Sequence, residues 1–312
     1  MLLTERLDIN MIVLVTGVAG QLGYDVINEL HKRGLFCVGT DIREEDELIN
    51  KANWNQYIQL DITDKEKVEE AVKDIKPDVI IHCAAWTNVD GAEDDNNRPL
   101  VKKINVDGTD NLVKIAKGLG CKFLYISTDY VFNGEGTRPW QPDDKNYAPL
   151  NYYGETKLQG ELSVSSQLDK YFIVRIAWVF GLNGKNFIKT MLSLADKGYK
   201  ELRVVDDQMG TPTYTYDLAR LLVDMIQTDK YGYYHATNEG GYISWADFAI
   251  EIFRQANKDV AVRRITTAEY GVSVAKRPFN SRLDKNKLIE NGLKPLPDWN
   301  DALNRYLKEI NR

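Results

Sequence analysis

TGVAGQLG, residues 16–23, follows directly on the apolar run Met11-Ile12-Val13-Leu14-Val15. An unbroken apolar run suits a parallel strand covered on both faces. Leu22, Val26, Ile27 and Leu30 then fall at helical spacing, and Gly34 is placed to cap the helix end. Gly17, Gly20 and Gly23, three apart, therefore sit between a strand and a helix. Such glycines serve either a plain tight turn or a phosphate seat. In a seat the first glycine permits the turn, the second lets the backbone approach a pyrophosphate and the third lets the helix pack close. The free N–H groups and partial positive charge of the helix N-terminus then face the anion. The spacing here, G-x-x-G-x-x-G, is one residue longer in its first gap than the usual dinucleotide pattern. Asp41 ends the next predicted strand, Phe36–Asp41, 18 residues past Gly23. An acid there holds the adenosine ribose hydroxyls and favours NAD over NADP, although Arg43 is placed to receive a 2′-phosphate. Taken alone, Asp41 has a solvated strand end as its other reading.

Working outward, the strand–helix rhythm continues to about residue 180. Val68, Ala71, Val72 and Ile75 mark a helix closed by Pro77, and Val79–Ala85 (VIIHCAA) a strand. Val106, Leu112, Val113, Ala116 and Leu119 mark a helix ended by Gly120, and Lys122–Ser127 a strand. A helix from about Tyr152 to Val164 and the strand YFIVRIAWVF (171–180) follow. Strand, helix, strand in this order predicts an α/β fold with a doubly wound parallel sheet, binding its ligand at the carboxyl ends of the strands. Beyond residue 181 prolines and glycines break the rhythm, which predicts a smaller second lobe. A helix after Tyr216 and GYYHATN (232–238) read as a return to the sheet. The expected division is 11–180 with 212–238 for the dinucleotide-binding domain, and 181–211 with 239–312 for the substrate-binding lobe.

The chain has 312 residues, 43% of them hydrophobic and 28% charged, with a net charge of −6. That is ordinary for a globular protein, and the mild acidity argues against nucleic acid as a partner. Apolar runs fall far short of the ~20 residues of a membrane helix. The start, MLLTERLDIN, carries Glu5, Arg6 and Asp8 where a signal peptide is apolar. A cytoplasmic chain is expected, with residues 1–10 an extension, since Met11 could itself be a start. Cys37, Cys83 and Cys121 form no CxxC pair and read as buried thiols in a reducing compartment. His31, His82 and His235 have no metal-ligand spacing, and no metal site is expected.

The chemistry points to YGETK, Tyr153 to Lys157. Residues four apart on a helix share a face. A lysine ammonium beside a tyrosine favours the phenolate and lowers a pKa that is otherwise near 10. Tyr153 then suits a general acid to a carbonyl being reduced, with Lys157 able to reach the nicotinamide ribose. A solvated helix face would carry the same pair. STDYVF, Ser127 to Phe132, follows a predicted buried strand and so lies at the ligand edge. Thr128 there offers a hydroxyl to orient the substrate oxygen, or to bond its own turn.

Together these residues resemble the extended short-chain dehydrogenase/reductase family, and within it the branch acting on dTDP-4-keto-6-deoxyhexoses. The resemblance covers most of the chain, through TGVAGQLG, KPDVIIHCAAWTNVDGAE, INVDGT, ISTDYVFNGEG, APLNYYGETKLQGE, RIAWVFG, NFIKTML, VVDDQMGTPTYTYDLA and RPFNSRLD. It implies NADPH or NADH as hydride donor, a dTDP-sugar as substrate and reduction at C4. Tyr153 would give the proton with Lys157 as partner, and Thr128 would bind the C4 oxygen. Asp129, Tyr130 and Trp178 would border the sugar. Gly17, Gly20, Gln21, Leu22 and Gly23 would hold the pyrophosphate, and Asp41, Asp61, Ile62, Ala84 and Ala85 the adenosine side and cofactor path. Asn105 matches an asparagine that supports the site. Trp178 reads otherwise as core, Asp61 as a helix-start acid and Asn105 as a cap. Arg203, Lys276, Arg277 and Arg282 are candidates for the diphosphate. Dehydratase relatives carry Thr-Asp-Glu where this chain has Thr128-Asp129-Tyr130, which argues for simple reduction. An epimerase or reductase of another nucleotide sugar, and a non-catalytic NADP-binding regulatory subunit, are the alternatives. A homodimer is compatible with the sequence, which marks no surface for it.

Overall fold

The structure, a computed structural model, describes residues 11–311; the expected extension 1–10 lies outside the described residues. The apolar run forms β1 (Ile12–Thr16), and the glycine turn leads into α1 (Gln21–Lys32). Gly34, with φ 71°, follows the helix end as expected. Then come β2 (Phe36–Asp41), β3 (Gln56–Gln59), α2 (Lys65–Ile75) and β4 (Val79–His82). Next are α3 (Arg98–Lys102), a π-helical stretch Lys103–Gly108, α4 (Thr109–Leu119), β5 (Lys122–Thr128), α5 (Tyr152–Gln167) and β6 (Tyr171–Ile176). The second half holds β7 (Val179–Phe180), α6 (Phe187–Asp196), β8 (Glu201–Val205), β9 (Met209–Gly210), β10 (Thr213–Tyr214), α7 (Thr215–Ile226) and β11 (Gly232–His235). It ends with β12 (Ile243–Ser244), α8 (Trp245–Gln255), β13 (Ala261–Ile265), α9 (Thr267–Tyr270), α10 (Asn286–Glu290) and α11 (Trp299–Ile310).

A seven-stranded sheet runs in the order β11-β6-β5-β4-β1-β2-β3, with every ladder parallel. The chain order reverses between β1 and β4, and that crevice is where such sheets bind ligands. One apolar layer packs α1 and α7 on the sheet through Val26, Leu30, Leu222 and Ile226. The other packs α2 and α4 through Val68, Val72, Leu112 and Val113. A third cluster unites Phe180, Phe248, Trp299 and Tyr306 in the second lobe, where α6, α8 and α11 pack.

Three details depart from the sequence reading. The strand expected to run to Ala85 stops at His82, and Cys83–Ala85 continue beyond the ladder. The run 171–180 is two strands, broken at Trp178, whose φ of 50° ends the pairing. β3, Gln-Tyr-Ile-Gln, escaped the reading because it is a short edge strand with exposed ends and no apolar run. No helix among the described residues is long and apolar enough to cross a membrane.

Candidate active site

The glycine turn opens at the β1 end of the crevice. Gly17 has φ 73°, and a Cβ there would meet Ala84 Cα and N at 2.7 Å, so the turn presses on the segment after β4. A Cβ at Gly23 would meet Gly17 O at 2.3 Å: the close approach is between helix and turn. Helix α1 starts at Gly20 with no side-chain cap and no acid in its first turn. An N-terminus of that kind keeps N–H groups and positive potential for an anion. The Gln21 side chain accepts from Asn186 Nδ2 (3.1 Å), and the Leu22 side chain packs in the core, which leaves their backbone to face the turn. Asp41 accepts from Ala19 N (3.0 Å) and Arg43 N (3.4 Å), so it braces the turn from the end of β2. Asp61 accepts from Thr63 N (2.8 Å), and Ile62 is buried against Gly108 of the π-helical stretch.

Ala84 and Ala85 follow β4 and are held from behind. Ala84 N donates to Thr16 Oγ1 (3.2 Å), which lies 2.8 Å from His82 Nδ1; His82 Nε2 lies 3.1 Å from Thr109 Oγ1. Thr109 spends its hydroxyl proton on Asn105 O (2.8 Å). It therefore accepts from His82, which assigns the proton to Nε2 and leaves Nδ1 to accept from Thr16. Burial, with the Lys157 charge, pushes the His82 imidazolium down to about 3, so the ring is neutral. Asn105, fully buried, accepts from Trp86 N (2.8 Å) and donates to Trp86 O (3.2 Å) and Thr156 Oγ1 (3.1 Å). It ties the segment after β4 to α5.

Helix α5 carries Tyr153 and Lys157. Asn151 caps it by accepting from Gly154 N (2.8 Å) and reaches the second lobe by donating to Lys276 O (2.8 Å). Tyr152 N donates to Glu93 (2.7 Å). A Cβ at Gly154 would meet Tyr130 O at 2.4 Å, so glycine lets the helix close on the turn after β5. The Tyr130 and Tyr153 rings meet edge to face at 5.9 Å. Thr128 is buried, accepts from Tyr130 N (3.2 Å) and donates to Asp129 Oδ1 (3.0 Å). Ser281 of the second lobe donates to the other Asp129 oxygen. Burial pushes the Asp129 carboxyl up to about 6, against those two hydrogen bonds.

The expected lowering of the Tyr153 pKa is not what the site does. Burial, with the Asp129 charge, holds the phenol well above its ordinary value, and a hydrogen bond with Thr128 opposes the rise. Lys157 is itself pulled down to about 7 by burial, partly restored by Glu161. Its Nζ lies 4.1 Å over the Tyr125 ring. Burial and the Asp129 charge, not the Lys157 ammonium, set the direction on the tyrosine.

Trp178 packs with Val131 and Leu158 in the cluster above the sheet end. Of the basic candidates, Arg277 donates to Asp90 (2.7 and 3.2 Å) after β4, and Arg282 to Asn280 Oδ1 (3.1 Å). Arg203 lies on the β8/β13 pair and donates to Glu269 O (3.0 Å); Lys276 is exposed. Sequence reasoning missed Ser281, Asn151, Glu93 and Asp90, because each acts across more than 50 residues of chain. The three cysteines are free, and no cluster of metal-ligating residues occurs among the described residues.

Sheet order, glycine turn, the Thr128–Tyr153 hydrogen bond and Lys157 one turn along the same helix define a Rossmann-type extended short-chain dehydrogenase/reductase. Within that class the chain belongs to the family described as RmlD substrate binding domain, whose model matches residues 11–312. A dTDP-4-dehydrorhamnose reductase of Shigella flexneri is 36% identical, covering 96% of this chain and 98% of that protein. Spore coat polysaccharide biosynthesis protein SpsK of Bacillus subtilis is 35% identical over 95% of this chain and 97% of its own. Two solved structures are similar: a dTDP-4-dehydrorhamnose reductase from Clostridium acetobutylicum and one from Bacillus anthracis in complex with NADP. Both are 39% identical, with TM-scores of 0.87 and 0.86, covering 97% and 96% of this chain and 100% and 99% of theirs.

Proposed function

We propose that the chain reduces the C4 ketone of dTDP-4-dehydrorhamnose to dTDP-L-rhamnose, with NADPH or NADH as the hydride donor. The observation that carries this reading is Tyr153 hydrogen-bonded to Thr128, with Lys157 one turn further along α5, beside a glycine turn with an uncapped helix behind it. The residues fit the cofactor: Gly17 and Gly23 leave no room for a Cβ, and α1 begins without a cap or an acid. Gly17, Gly20, Gln21, Leu22 and Gly23 would hold the pyrophosphate: Gln21, Leu22 and Gly23 through N–H groups of the first turn of α1, and Gly17 and Gly20, whose own N–H groups go to Thr40 O and Gly17 O, by shaping the turn and letting the ligand approach. Asp41, Asp61 and Ile62 border the adenosine side, and Ala84 and Ala85 the path towards the nicotinamide. When bound, the reduced nicotinamide supplies the hydride.

The chain's part is alignment and a proton. The raised pKa keeps the proton on Tyr153 Oη at neutral pH, ready for the C4 oxygen. Giving it up leaves a phenolate, which the Thr128 hydroxyl meets by turning its proton away from Asp129 and which the ammonium form of Lys157 makes less costly. Thr128 orients the C4 oxygen, and Asp129, Tyr130 and Trp178 border the sugar. Tyr130 stands next to Asp129 where dehydratase relatives carry the glutamate that elimination needs, which favours simple reduction. The division into 11–180 with 212–238 for the cofactor and 181–211 with 239–312 for the sugar nucleotide belongs to the same reading. So does a cytoplasmic location, for which the free cysteines are suited. A homodimer is compatible with it and is checked by sedimentation.

The test mixes the protein with freshly made dTDP-4-dehydrorhamnose and follows NADPH and NADH absorbance, with Tyr153→Phe in parallel. Oxidation by the wild type, and a loss of ~10²–10⁴-fold in the variant with cofactor affinity retained, is the expected outcome. No oxidation with either cofactor refutes the substrate assignment. A fully active Tyr153→Phe refutes the proton donor.

A further inference from the structure

Trp178 has a left-handed backbone, φ 50°, that a bulky side chain adopts against its own preference. Such a conformation persists where its surroundings over-determine it, and two contacts from the second lobe do so here. The Trp245 indole stacks on the Trp178 indole with centroids 3.8 Å apart and planes 15° apart, and Phe187 backs Trp245 at 4.7 Å. Gly210 lies over a face of the same ring: a Cβ there would stand 2.8 Å from Cε2 and 3.0 and 3.1 Å from Nε1 and Cζ2. The nearest atom is the ring-fusion carbon, with its two neighbours slightly further, as for an approach along the ring normal. Trp245 already fills one face, so Gly210 covers the other. The two belong to one bracket, because β9 and β12 pair Gly210 with Ile243 and Met209 with Ser244, and Trp245 follows Ser244 directly. Thr213 closes the back by donating from N to Trp178 O (3.1 Å) and from Oγ1 to Ala177 O (2.6 Å).

We propose that Trp245 is a positioning residue for the sugar pocket. With Gly210 it clamps the Trp178 indole on both faces, so the ring presents an edge to the ligand in one fixed orientation. This rests on the reading of Trp178 as a wall of that pocket. The second lobe thereby sets the shape of the sugar site through a residue that does not itself touch the sugar. Gly210 takes part because any larger residue would push the indole out of its plane.

The test compares Trp245→Ala, Trp245→Phe and Gly210→Ala for KM and kcat with the keto-sugar nucleotide, and for NADPH affinity by calorimetry. Near-parallel indoles this close couple their transitions, so far-ultraviolet circular dichroism of the wild type should show a paired band. That band should vanish in Trp245→Ala and in Trp178→Phe. Trp245→Ala and Gly210→Ala should each raise KM about tenfold with NADPH affinity held within about twofold, and Trp245→Phe should recover most of the loss. KM unchanged in both Trp245→Ala and Gly210→Ala, or no paired band in the wild type, overturns the clamp. So does a parallel loss of NADPH affinity in Trp245→Phe, which marks a general packing role. A wild type with the band and no turnover refutes the substrate reading instead, so the two failures separate.

Discussion

Asn105→Ala should uncouple the segment after β4 from α5. Asn105 is 1% exposed and makes three side-chain hydrogen bonds, to both backbone groups of Trp86 and to Thr156 Oγ1. At roughly 1 kcal/mol net per bond, with Trp86 left half-buried and unpaired, the loss is about 3–4 kcal/mol. At roughly 2.1 cal/mol/K of unfolding entropy per residue, that lowers Tm by about 5–6 °C in a chain of this size. The sharper probe is Asn105→Asp. Thr156 donates its hydroxyl proton to Tyr153 O (2.9 Å), so towards residue 105 it can only accept. Aspartate keeps the bond from Trp86 N but faces the Trp86 carbonyl and the Thr156 oxygen with nothing to donate. Asn105→Asp should therefore be at least as unstable as Asn105→Ala at pH 8, and should recover as pH falls and its carboxyl takes up a proton. Thermal unfolding across pH 5–9, roughly the span over which a buried aspartate titrates, measures this alongside turnover. An Asn105→Asp protein as stable as the wild type at pH 8 would refute the proton assignment at Thr156 and the bracing role built on it.

Asp25 on α1 is pushed up to about 7, chiefly by burial, with the Glu309 and Asp217 charges adding to the rise and a hydrogen bond from Thr215 opposing it. Its folded pKa lies above the unfolded value, so its stabilising contribution is complete below about pH 4 and is lost as pH rises through about 7. Asp25→Asn should be the more stable protein at pH 8, by up to ~4 kcal/mol, with the gap closing towards pH 4; a less stable variant at pH 8 would sink the assignment. Arg175 and Glu161 form a fully buried ion pair at 2.8 Å. Glu161→Gln should cost ~3–5 kcal/mol in urea unfolding, since it strands a buried guanidinium, and a cost under ~1 kcal/mol would contradict that. Gly17→Ala meets both a left-handed φ and the Ala84 backbone. It should lose at least ~1–2 kcal/mol of stability and most NADPH affinity by calorimetry; unchanged affinity would contradict the pyrophosphate seat.

Much of this protein is written in local pattern. The apolar run into Gly17, the helical spacing after it and the repeat of strand and helix determine a parallel sheet, because both periodicities are properties of adjacent residues. The position of Thr128 at a strand end and of Tyr153 and Lys157 on one helix face follows from the same local rules. What local rules do not carry is anything set by distant segments meeting. The raised Tyr153 and lowered Lys157 pKa values come from desolvation, which exists only once the lobes pack. The break at Trp178 is invisible in YFIVRIAWVF, whose apolar pattern runs straight through it; Trp245, Gly210 and Thr213 impose it from 32 residues or more away. Asp129 meets Ser281, and Asp90 meets Arg277, across more than 150 residues. Sequence alone determined which groups stand at the carboxyl edge of the sheet. Tertiary structure alone decided their protonation and orientation, because burial and long-range contacts are properties of the packed chain.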